Sequence, residues 1–112
     1  MNINDLTLPL KGSCHCGSVK FEVNSKLKDL RRCNCSICSR KGFVMSTASS
    51  DELKIISGET YLNKYQWNTE IAEHYFCSKC GINTHHKRRS DPKQYGYNIA
   101  CIEGVEMSWI KD

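Results

Sequence analysis

Seven of the chain's eight cysteines fall into three short clusters. "SCHCGS" holds Cys14 and Cys16, "CNCSIC" holds Cys33, Cys35 and Cys38, and "FCSKCG" holds Cys77 and Cys80. Cys101 stands apart in "YNIACIE". Thiols two or three residues apart are poorly placed for disulfides and well placed to grip one metal ion. A disulfide framework would also need an oxidising compartment. The start, "MNINDLTLPL", has neither a basic segment nor a long apolar run, so no export signal is expected. The reading is therefore a metal-binding protein of the cytoplasm, where thiols stay reduced.

The two flanking pairs complement each other. In "CSKCG", two thiolates three apart can hold one ion, while turn N–H groups point at sulfur and the trailing glycine takes a left-handed turn. "CHCG" is a tighter version with its own trailing glycine, Gly17. Neither pair closes a tetrahedron alone. Together, Cys14, Cys16, Cys77 and Cys80 supply the four sulfurs of a closed structural zinc site. Cys33, Cys35 and Cys38 remain. Three ligands leave a fourth position for water or substrate, the arrangement of catalytic zinc. Two duller arrangements stay open at this point. Cys101, His15, His85 or His86 could complete a second structural site, or a trio cysteine could exchange into the first. Cys101, in an alternating apolar segment read as strand, suits the core. His15 should point outward and His74 should be a satisfied strand residue. His85 and His86, adjacent on a strand, must face opposite sides, so at most one serves a given pocket.

The intervening segments alternate with strand period. "SVKFEV" (18–23) puts Val19, Phe21 and Val23 on one face and Lys20 and Glu22 on the other. Further strands are read at 42–48, 53–57, 60–67, 70–76, 82–87 and 95–102, with turns at "SGE" (57–59) and "WNTE" (67–70) joining neighbouring strands. A short helical turn fits "SICSRK" (36–41). The expectation is a single domain over 1–112: small, mainly β, antiparallel, stabilised by zinc and with little helix. No apolar run approaches the roughly 20 residues of a membrane-crossing helix.

The formal charge is +4, but seven thiolates around two dications would remove three of those charges. Bulk charge is thus weak support for nucleic-acid binding. The local run "KRR" (Lys87–Arg89) is the better argument for it, with Tyr95, Tyr97 and Trp109 nearby in sequence.

The order "GSCHCGSVKFEV", "CNCSICSRKG", "FCSKCGINTHH", "YGYNIACIEGV" resembles the glutathione-dependent formaldehyde-activating enzyme family, which includes the centromere protein V domain. The likeness runs from about Leu10 to Val105. It implies a mainly β fold around zinc. It implies a structural Zn²⁺ on Cys14, Cys16, Cys77 and Cys80, and a catalytic Zn²⁺ on Cys33, Cys35 and Cys38. The implied activity is addition of glutathione to formaldehyde to give S-hydroxymethylglutathione, or the reverse carbon–sulfur lyase reaction.

Such chemistry suits a thiolate-bound ion. A free thiol has a pKa near 8.5 and is mostly protonated at neutral pH, whereas metal binding deprotonates it. Glutathione carries two carboxylates, for which Arg40, Lys41, Lys87, Arg88 and Arg89 are candidate clamps. The chief alternative is a non-catalytic, zinc-stabilised module that binds protein or nucleic acid. A zinc buffer or redox sensor is a third reading, since exposed thiolate clusters oxidise.

Overall fold

Alternation in "KFEV" does what its period requires: Phe21 and Val23 are buried, and Lys20 is exposed. This strand, β2 (Lys20–Val23), is the centre of a three-stranded antiparallel sheet. Its neighbours are β1 (Leu10–Ser13) and β4 (Leu53–Ser57). The computed structural model describes residues 6–32, 36–67, 72–88, 91–106 and 108. The second sheet has five antiparallel strands in the order β3 (Met45–Ser49), β8 (Gln94–Asn98), β7 (Asn83–Lys87), β6 (Glu73–Cys77), β5 (Leu62–Tyr65). Among the described residues the one α-helix, α1 (Ser36–Lys41), covers the segment read as a helical turn. The fold is mainly β, as expected, and no helix among the described residues is long and apolar enough to cross a membrane.

The core lies between the sheets. Leu10, Phe21, Val23 and Leu53 meet Val44, Ala48, Tyr97, Ile99 and Ile102. Burying each large apolar side chain contributes about 1.5–3 kcal/mol. A smaller cluster of Cys14, Val19 and Cys77 continues this core to one end.

Two expectations need correction, and one strand is new. "SGE" does not join neighbouring strands: β4 belongs to the three-stranded sheet and β5 to the five-stranded one. The chain crosses between them through a single 3-10 turn at Glu59–Tyr61. Cys101 is not in a strand either. β8 stops at Asn98, whose side chain accepts a bond from the Ala100 N–H (3.1 Å) and starts a 3-10 turn over Ile99–Cys101. An Asn side chain competing for backbone donors in this way ends a strand that apolar alternation alone would continue. Finally, β1 was not anticipated. "LKGS" is four residues long, and it is held by pairing with β2 and by a bridge from Gly12 to Ile102. The "WNTE" turn lies largely outside the described residues.

Candidate metal centre and the adjoining histidine face

Two hairpin turns, one from each sheet, meet at one point. The β1–β2 turn carries Cys14 and Cys16; the β6–β7 turn begins at Cys77 and carries Cys80. The turns are built alike. The Cys14 N–H donates to the Val19 carbonyl (3.0 Å), and the Cys77 N–H donates to the Ile82 carbonyl (3.0 Å). The N–H groups of Gly17 and Gly81 close each turn onto the first cysteine's carbonyl, at 3.2 and 2.8 Å. Both glycines are left-handed, with φ of 81° and 76°, as the trailing-glycine argument predicts.

The four sulfurs lie within 4.8 Å of one another. Cys16 Sγ is 3.7 Å from both Cys14 Sγ and Cys77 Sγ. A disulfide would require about 2.05 Å. Four sulfurs each about 2.3 Å from a tetrahedral ion stand about 3.8 Å apart, so this spacing fits Zn²⁺. Backbone donors already face the sulfurs: Val19 N–H to Cys14 Sγ (3.3 Å) and Lys79 N–H to Cys77 Sγ (3.4 Å). The Ser18 hydroxyl and N–H pull the exposed Cys16 thiol down to about 6. The N–H groups of Cys16 and Ile82 lower Cys80. Burial pushes Cys77 the other way, up to about 11. A buried thiol gathered against three others is a poor thiolate on its own and a good one beside a cation.

Cys101 sits near this cluster. Its thiol is half-buried and points at the Asn83 carbonyl (3.7 Å). Burial, reinforced by Cys14 and Cys80, raises it to about 12. His15 is exposed, as expected of a residue between two ligands.

Of the trio, Cys38 lies half-buried on α1, outside the four-sulfur group, while Cys33 and Cys35 lie outside the described residues. The loop that carries them starts and ends at one place. Arg31 and Met45 exchange backbone bonds (3.1 and 2.9 Å), and Met45 is also where the chain re-enters the sheet as β3. The Arg32 guanidinium donates to the Gly42 carbonyl, tying the loop's two arms together. Sequence reading passed over Arg32, which has no distinguishing pattern around it. The candidate clamps are placed as follows. Arg40 donates back to the Ser36 carbonyl (2.6 Å), Arg88 donates to Gln94 Oε1 (2.5 Å), and Arg89 lies outside the described residues. Lys87 is 3.7 Å from the Glu73 carboxylate. Lys41 turns inward instead: its Nζ lies 2.6 Å from His74 Nδ1 and 5.2 Å from the Phe43 ring centre.

Strand register explains what lies inward. Thr47, Gly96, His86 and His74 form one row across β3, β8, β7 and β6. Ser46, Tyr97, His85 and Tyr75 form the next row. Adjacent rows face opposite sides of a sheet. The second row looks toward the core, where His85 stacks on Tyr75 (4.6 Å) and stands 6.4 Å from Phe21. The first row looks outward, and Lys41 and Phe43, at and after the end of α1, lie over it. Phe43 is 6.3 Å from His86, which stacks on His74 at 5.4 Å. His85 and His86 thus part to opposite faces as their adjacency requires. Burial, with Lys41 adding, holds His74 and His85 near 4 and His86 near 3. All three are therefore neutral imidazoles at pH 7.

A family model described as glutathione-dependent formaldehyde-activating enzyme matches residues 9–110. The chain belongs to this family. The fold is similar to that in a crystal structure of a Rhodobacter sphaeroides protein. That protein is 48% identical, with a TM-score of 0.82 over 86% of this chain and 90% of that one. A Halomonas elongata protein with the provisional name glutathione-dependent formaldehyde-activating enzyme is 34% identical over 80 residues. The match takes in 63% of this chain and 51% of that relative, so the chain spans about half the length of the curated family member it matches.

Proposed function

We propose that this family member is a zinc-dependent carbon–sulfur lyase or synthase that acts on an adduct of glutathione, or of another small thiol, such as S-hydroxymethylglutathione. One observation carries the reading. Cys14, Cys16, Cys77 and Cys80 make a four-sulfur group by themselves, so the "CNCSIC" trio is not needed to complete it. On this reading the four-sulfur group holds a structural Zn²⁺, and Cys33, Cys35 and Cys38 hold a second one with a position left open. A bound zinc there would supply two things, deprotonation of a ligating thiol and polarisation of an oxygen.

The rest falls to the chain. In the synthase direction the thiol's sulfur bonds to the formaldehyde carbon, and the thiol proton ends on the oxygen. The lyase direction reverses both changes. Arg40 and Lys41 in the last turn of α1, with Arg88 and Arg89, are the clamps proposed for the tripeptide's carboxylates. Arg40 and Arg88 would exchange their present bonds, to the Ser36 carbonyl and Gln94 Oε1, for a carboxylate. We assign the whole unit, a single domain, to the reducing cytoplasm, where the trio stays available.

The test is the rate of formaldehyde–glutathione exchange with the wild-type protein and with Cys35→Ser, alongside metal content per chain. Two zincs per chain and a rate that collapses in the variant support the reading; a wild-type rate equal to the uncatalysed one refutes it. The runner-up is a zinc-stabilised module for a protein or nucleic-acid partner, and it leans on the "KRR" run. A gel shift at low salt with Arg88→Ala/Arg89→Ala separates the two.

A further inference from the structure

His86 is 5% exposed, and its Nδ1 is buried without a hydrogen-bond partner among the described residues. A buried polar atom left unpaired forfeits its hydration with nothing in return, so native proteins rarely do it without a reason. The surroundings are specific. The His86 ring lies over Gly96, where a Cβ would fall 2.5 Å from Cε1. Only glycine leaves room for the ring there. The loop that carries Cys38 closes over the same face, with Phe43 against His86 and Lys41 against His74. In the Lys41–His74 contact the ammonium must donate, so His74 accepts on Nδ1 and carries its own proton on Nε2. The pair holds a cation in place beside His86. The other charged or titratable groups bearing on His86 are Arg88, just past the end of its strand, and His85 on the strand itself; Asp29 accepts from Thr47 Oγ1 (3.3 Å) at the far end of the row.

We propose that His86 Nδ1–H is a hydrogen-bond donor to the oxygen of the one-carbon unit, and that Lys41, held by His74, is the cation that shares the charge developing on that oxygen. The inference rests on the lyase reading above and deepens it. That oxygen is carbonyl in formaldehyde, hydroxyl in the adduct, and partly anionic between the two. A neutral imidazole suits this task. It is a directional donor that titrates far below neutrality, and it does not itself exchange the proton. Burial keeps His86 in that form. His74 acts through Lys41 and is a positioning residue.

The experiment compares wild type, His86→Phe and His86→Asn as zinc-loaded full-length chains. Asn places an N–H close to the position of Nδ1; Phe keeps the ring packing and has no donor. His86→Phe should lower kcat about 100-fold with little change in KM for glutathione, the scale of losing one oxyanion donor. His86→Asn should regain at least about tenfold of that. An active His86→Phe, within twofold of wild type, overturns the inference while leaving the lyase reading intact. So does a His86→Asn as slow as His86→Phe. A wild-type protein that does not accelerate exchange refutes the lyase reading, and this inference with it.

Thermal midpoint and zinc content show whether the variants are folded and loaded. A second readout does not depend on turnover. The ¹⁵N resonance of His86 Nδ1 should move when formaldehyde is added to the protein with glutathione, and not with glutathione alone. No movement overturns the proposed contact. An inflection between pH 5 and 8 in the wild-type kcat profile that disappears in His86→Asn would also overturn it, because His86 would then be exchanging a proton.

Discussion

Cys77→Ser should unfold this protein at temperatures where Cys38→Ser leaves it intact. Cys77 is fully buried at the end of β6, and its sulfur lies 3.7 Å from that of Cys16 in the other sheet. The link between the two hairpins spans 61 positions of the chain. Constraining a loop of that length removes unfolded-state entropy worth about 4 kcal/mol in the chain-entropy model. That is a large fraction of the roughly 5–15 kcal/mol that holds a domain together. At about 4 °C per kcal/mol for a chain of this size, the midpoint should drop by about 15 °C or more.

Cys38 lies half-buried on α1, outside the four-sulfur group. Cys38→Ser should shift the midpoint by no more than a few degrees while losing up to one zinc per chain. The assay is thermal unfolding by far-UV circular dichroism, with zinc measured on the same samples and a chelator arm for wild type. Equal midpoints for Cys77→Ser and wild type would refute the idea that this cluster joins the sheets. A collapse in Cys38→Ser as large as in Cys77→Ser would refute the division of labour between the two groups.

The buried histidines set an acid limit. In the folded protein His85 and His86 resist protonation until about pH 4 and 3, whereas in the unfolded chain they take a proton near 6.5. The unfolded state thus binds more protons in that window, so stability is complete above about 6.5 and falls as the pH drops below it. Urea midpoints at pH 7.5, 6 and 5, with zinc content followed, should decline less steeply in His86→Phe than in wild type. Gly96→Ala should destabilise by about 1–3 kcal/mol, because the new methyl meets His86 Cε1 at 2.5 Å and Met45 Cε at 2.9 Å; an unchanged denaturant midpoint would show that the ring is free to move. Lys41→Met should raise the pKa of His74, since it deletes a charge that now opposes imidazolium formation; NMR titration of the His74 ring reads this, and a pKa that does not rise refutes the contact.

Much of this site was legible in the chain before any coordinates. C-x-C-G and C-x-x-C-G announce two turns with sulfur on one side, because ligand spacing and a left-handed glycine are local properties. Period-2 alternation in "SVKFEV" and the length of "SICSRK" likewise depend only on near neighbours; the helix spans 36–41 as expected, and the strand read over 18–23 starts at Lys20. The adjacency of His85 and His86 even guaranteed that they would part. Other features were not local. Nothing near "SGE" says that β4 and β5 sit in different sheets, because sheet membership is decided by which edges the core can cover. The Asn98 cap that ends β8 competes with an apolar pattern that points the other way. Above all, the row Thr47, Gly96, His86, His74 exists only through register between four strands. The segment over it is held by the backbone bonds at Met45 and by the Arg32–Gly42 and Lys41–His74 contacts. The sequence alone determined which residues can grip a metal. Only the packing of one sheet on another, with Lys41 and Phe43 folded across its outer face, decided that a buried imidazole and a lysine would come together there.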